Sequence, residues 1–132
     1  MKKYILLIIV VLALIGTNPT KEKYSVWLTD KVIVLMDKKI NETADQSILT
    51  NFTKEFLHGI VSSIGPTFVN HNTSRTNFYL FSTYNTEIPG TGDSVKAIGI
   101  LNHYIPIHIP KNINLKDLQN EILQYKDKGV SL

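Results

Sequence analysis

The chain has 132 residues, and with residues 1–18 read as a membrane segment the rest suffices for one domain of about 110 residues and no second one. Fourteen Lys and Arg against eleven Asp and Glu give a net charge of +3 and a pI of about 9.1. Lys2 and Lys3 stand ahead of the apolar run, so the remainder is nearly neutral and offers no nucleic-acid surface. The absence of cysteine excludes disulfides, a thiolate nucleophile, a lipidated cysteine and cysteine-based zinc sites.

The chain opens with two lysines followed by an unbroken apolar run from Tyr4 to Gly16, an order that an export machinery reads as N-terminus inside. As a helix the run rises only about 20 Å against a hydrocarbon core of about 30 Å, a length typical of a cleaved signal peptide. The end of the run offers Leu14 and Gly16 as −3 and −1 residues, and Leu14 is too large for cleavage. A helix from Met1 to Asn18 rises about 27 Å, and Lys2 and Lys3 can snorkel across the remaining gap. The expectation is a retained transmembrane signal-anchor over 1–18, single-pass, with a cytoplasmic N-terminus and an extracytoplasmic domain over 19–132.

Asn18 as N-cap and Pro19 at the first helical position predict a helix through about Lys39, with Tyr24, Trp27, Leu28, Val32, Leu35 and Met36 on one apolar stripe. Tyr24 and Trp27 read as core rather than as an interfacial aromatic belt. After the polar NETADQ break, Ile48, Leu49, Phe52, Phe56, Leu57, Ile60, Val61 and Ile64 predict a second amphipathic helix from Asp45, ended by Gly65 as a left-handed cap and Pro66 as a stop. TFVNHNTSRTN, 67–77, reads as a loop. NFYLFSTYNTEI, 77–88, and VKAIGILNHYIPI, 95–107, read as two strands joined by PGTGDS into an antiparallel hairpin. Gly99 within the second marks a bulge or a close backbone approach. Asn114 can cap a last helix carrying Leu115, Leu118, Ile122 and Tyr125, up to Gly129.

Chemistry is sparse. GTGD contains a GxG but lies between strands, with no helix N-terminus to face a phosphate. His58, His71, His103 and His108 make no HxxxH or HExxH spacing. Ser62, Ser63, Ser74 and Ser82 lack a GxSxG or SxxK context that would activate a hydroxyl. The sequons at Asn41, Asn51 and Asn72 carry no weight in a chain this rich in Asn and Thr. No catalytic, cofactor or metal-binding residue is assigned. Arg75, the only arginine, is the residue singled out, as a structural fork that ties down a polar loop or as a ligand for an anion.

TNPTKEKY after the apolar run, SRTNFYLFSTYNTE, and KAIGILNHYIPI, in this order and spacing, resemble the small membrane-anchored bacterial family known as domain of unknown function 4359, from about Thr17 to Ile107. The resemblance implies a single-pass protein with a small exported domain and carries over no activity, cofactor or catalytic residue; the terminal helix from Leu115 lies outside it. The sequence thus predicts an α+β protein with an N-terminal transmembrane helix, two amphipathic helices, an antiparallel hairpin and a C-terminal helix. Its expected work is non-catalytic binding of an envelope component or an envelope or membrane protein, the bilayer being a partner through 1–18. The alternatives are a small envelope hydrolase or metal-dependent enzyme assembled from His58, His71 and Arg75, and a secreted soluble factor.

Overall fold

The computed structural model describes residues 1–43, 48–89, 92–110 and 115–128. Along these the order is α1 (Lys2–Gly16), α2 (Lys21–Thr43), α3 (Ile48–His71), β1 (Thr73–Asn77), β2 (Ser82–Glu87), β3 (Ser94–Ile100), β4 (His103–His108) and α4 (Leu115–Asp127). The α+β class stands, with a four-stranded antiparallel sheet in the order β1-β2-β3-β4 in place of a single hairpin. The chain divides into two units, Met1–Tyr24 with Asn72–Asn112, and Ser25–His71 with Ile113–Leu132.

In the first unit the sheet buries one face. Ser82, Tyr84 and Thr86 alternate inward on β2, and Val95, Ala97 and Gly99 do so on β3, the period of two that a one-sided sheet requires. The segment after α1 covers this face. Tyr24 is fully buried and stacks on Tyr84 with ring centroids 4.2 Å apart, and Tyr104 closes on both at 5.8 and 5.9 Å. Gly99 is what lets this segment approach. A Cβ there would lie 2.8 Å from the Tyr84 ring and 3.0 Å from Pro19, so the close-approach reading of Gly99 is the right one. The register shift falls instead between Lys96 and Ala97.

In the second unit Leu28, Val61, Ile64, Phe68 and Val69 are buried, and α4 meets α3 through an edge-on contact of Tyr125 with Phe68, centroids 5.5 Å apart. The expected stop at Gly65 and Pro66 is overturned, because α3 runs through both to His71. Proline within a helix removes one i→i−4 bond and resists its neighbours; here the packing of Val61, Ile64, Phe68 and Val69 outweighs it. Gly65 is a contact residue rather than a cap, since a Cβ there would come within 2.6 Å of Thr29 on α2. The proposed starts at Asp45 and Asn114, and the end at Gly129, lie outside the described residues.

Three further expectations are corrected. The transmembrane helix over 1–18 is not found: α1 ends at Gly16, and among the described residues no single helix is long and apolar enough to cross a membrane. Its fifteen residues rise about 22 Å, short of a hydrocarbon core of about 30 Å. Asn18 does not cap α2; the Thr20 hydroxyl does, accepting from Lys23 N–H at 3.4 Å, and Asn18 is drawn away to the sheet. The first long strand is a turn followed by one strand, and the second is really two. Residues 78–81 form a turn that lets 73–77, read as loop, pair with β2, and Leu101 and Asn102 form a two-residue turn between β3 and β4.

Candidate functional site

The described structure concentrates its distinctive chemistry around the exit of α1. No α1 residue is buried, and Tyr4, Ile5, Leu6, Leu7, Ile8, Ile9, Val10, Leu12 and Ile15 are all exposed. A helix apolar on every side has no water-facing surface to offer. Its last turn is closed by the Thr17 hydroxyl donating to Ala13 O at 2.6 Å.

Residues 17 and 18 then tie the end of α1 to both turns at one end of the sheet. Asn102 N–H donates to Thr17 O at 2.8 Å. Asn18 Nδ2 donates to Asn77 Oδ1 and to Tyr79 O, each at 2.9 Å, while its Oδ1 accepts from Ser82 Oγ at 2.8 Å. Asn77 Oδ1 also accepts from Tyr79 N–H at 2.8 Å. A side-chain amide carries both donors and an acceptor, so Asn18 serves the β1–β2 turn and the start of β2 together.

Behind this joint is a hydroxyl-rich cluster. Tyr84 donates its hydroxyl to Pro19 O; Tyr24 and Thr86 hydroxyls pair at 2.9 Å, and Thr86 pairs with Thr73 at 2.7 Å. Burial pushes the Tyr24 and Tyr84 phenols above their usual range, and lifts Tyr104 to about 12 with help from the neighbouring Tyr84. Burial therefore keeps these phenols in the neutral form.

Arg75 belongs to this cluster. It lies in β1 rather than in a loop, directly opposite Tyr84, where its guanidinium is near enough to the phenol to oppose the upward push of burial. Its buried Nε has no hydrogen-bond partner. Glu22, in the first turn of α2, is held below the usual carboxylate range chiefly by its own backbone hydrogen bond and the Thr20 hydroxyl, and slightly by Arg75.

The other residues of the scattered-site reading have separate attachments. His58 Nε2 meets Asp37 Oδ1 at 2.6 Å, tying α3 to α2, and His71 lies beside Tyr125 with centroids 5.7 Å apart. Thirteen positions apart on one helix, the two histidines are separated by about 20 Å, and both belong to the unit that lacks Arg75. Among the described residues no group of three or more His, Asp or Glu could hold a metal ion. At the opposite end of the sheet an open cavity of about 530 Å³ is lined by Asn72, Asn85, Glu87, Ile88, Asp93 and Ser94 among others. There the Asn85 Oδ1 is buried without a hydrogen-bond partner. Sequence reasoning took Asn18 for a cap and missed its tie to Asn77; an asparagine beside a proline at the end of an apolar helix fits a cap equally well.

No curated protein and no solved structure is significantly similar to the chain. The family model described as Domain of unknown function (DUF4359) matches residues 12–108, taking in the end of α1, the clamped 17–24 segment and the whole sheet, and the chain belongs to that family.

Proposed function

We propose that the protein is a non-catalytic module held at a membrane by α1, whose apolar side chains embed in the hydrocarbon of a lipid bilayer and leave the sheet unit at the surface. The observation that carries this is the exposure of α1 on all sides. Burying a Leu or Ile side chain is worth about 1.5–3 kcal/mol, and nine large apolar side chains of this helix find no protein partner to bury them. Embedding needs only that these groups leave water, not that the helix cross the bilayer. The neutral phenols and interlocked hydroxyls behind the joint suit the holding of a chain segment, not the turnover of a substrate. In this reading Arg75 is part of that clamp: its charge lies across the strand pair from Tyr84, which in turn holds Pro19.

Flotation of the full chain with phosphatidylcholine and phosphatidylglycerol vesicles tests the reading. The wild type floats, and a Leu7→Lys, Leu12→Lys variant, with two charges set into the apolar helix, stays in the dense fraction. A wild type that stays behind, or a variant that floats equally well, overturns it.

A further inference from the structure

We infer that the two turns beside the end of α1 form a second, shallow lipid-contacting collar, with Tyr79 and Leu101 entering the headgroup boundary while α1 is embedded. The inference rests on the membrane reading of α1 and adds to it which part of the sheet unit touches lipid.

The antiparallel order brings the 78–81 and 101–102 turns to one end of the sheet. That is the end from which α1 departs, since Thr17 and Asn18 bond directly to Asn102, Asn77 and Tyr79. Both turns point apolar groups outward. Tyr79 is 72% exposed, Leu101 50% and Phe78 49%, with Phe78 stacked on Phe81 at 4.9 Å.

The backbone supplies an independent observation. Among the described residues the non-glycine positions at positive φ are Tyr79 at 66°, Leu101 at 51° and Asn102 at 57°. Two-residue hairpin turns of this hand favour Asn or Gly, and a bulky side chain in the left-handed region is strained. A leucine in such a turn leaves half of its surface in water. An apolar or aromatic side chain does gain at a bilayer boundary, where tyrosine places its ring in the acyl margin and its hydroxyl among headgroups. Because hydrogen bonds join the end of α1 to both turns, a helix embedded up to its C-terminal turn carries Tyr79 and Leu101 to the same depth. The opposite end, with Glu87 and Asp93, faces away.

The chain lacks cysteine, so single cysteines can be placed in the full-length protein at Ile8, Phe78, Tyr79, Leu101 and Glu87. Each is labelled with an environment-sensitive fluorophore and reconstituted in phosphatidylcholine and phosphatidylglycerol vesicles with lipids brominated near the headgroup or at mid-chain. The expected result is mid-chain quenching at Ile8, headgroup-level quenching with a blue shift at Tyr79 and Leu101, and none at Glu87. Phe78→Cys gives a tip position free of positive φ should the other two fold poorly. Quenching at Ile8 with all tip labels behaving like Glu87 overturns the collar and leaves the α1 reading intact. Quenching at the tips but not at Ile8 sinks the α1 reading and, with it, a collar that depends on an embedded α1. A blue shift at the tips that no brominated lipid quenches means contact with protein, either another copy or a partner, and overturns the collar.

Discussion

The two ends of the four-stranded sheet are built from opposite chemistry. At the α1 end, Phe78, Tyr79 and Leu101 stand out on turns with left-handed backbone, and the chain from Thr17 to Pro19 is fastened by hydrogen bonds to the strands beneath it. At the other end, Asn72, Asn85, Glu87, Asp93 and Ser94 surround an open cavity, and the left-handed position is a glycine, Gly92 at φ 73°. Glycine takes that conformation without strain; Tyr79 and Leu101 do not. A sheet of this size needs neither asymmetry to fold, so the strained, apolar end is where the fold gives up stability and where a function is to be sought.

The comparison breaks most sharply at the glycines. Gly99→Val forces methyl groups into Tyr84 and Pro19, and is expected to cost about 3 kcal/mol or more by overpacking. Gly92→Ala meets no atom within 4 Å and is expected to cost only the left-handed penalty of about 1–2 kcal/mol. Urea denaturation of both variants checks the order, and equal midpoints would mean that the clamp over Gly99 is loose.

Arg75→Lys comes next. An ammonium cannot reproduce the planar guanidinium opposite Tyr84, and its loss is expected to cost about 1 kcal/mol. An unchanged denaturation midpoint would remove Arg75 from the clamp and return it to the anion-ligand reading.

The phenols give a pH signature confined to the covered face. Their folded-state values lie above the unfolded tyrosine value of about 10, Tyr104 reaching about 12. The unfolded state therefore ionises first: stability is intact below about pH 10 and falls as the pH rises toward 12. Absorbance titration should show Tyr24, Tyr84 and Tyr104 ionising late and together with unfolding. Ionisation of these three phenols ahead of unfolding would contradict the packed cluster.

The smallest effect has the opposite sign. Leu101→Asn relieves a strained turn and is expected to stabilise the fold by about 0.5 kcal/mol. It should also weaken headgroup-level contact at this end. A variant that loses stability would show that Leu101 packs on the protein after all.

Periodicity alone determined the α+β class, the amphipathic stretch of α3, the antiparallel run of β2 into β3 across PGTGDS and the helix from Leu115, because burial on one face imposes a period of 3.6 or 2 on the residues themselves. Family membership was legible too, in the order of TNPTKEKY, SRTNFYLFSTYNTE and KAIGILNHYIPI. Tertiary structure decided what local signals misstate. Pro66 looks like a helix stop, but buried neighbours hold α3 together across it. Leu101-Asn102 looks like mid-strand, because a leucine is an unfavourable choice at positive φ, and only cross-strand pairing of Ile100 with His103 reveals the turn. Arg75 was legible as a residue of interest by being the only one of its kind, yet its partner Tyr84 is visible only once β1 pairs with β2. Asn18 reads as a cap in sequence and becomes the tie between α1 and the sheet, since a side-chain amide bonds whatever donors and acceptors the fold brings within 3 Å, and sequence alone does not say which those are.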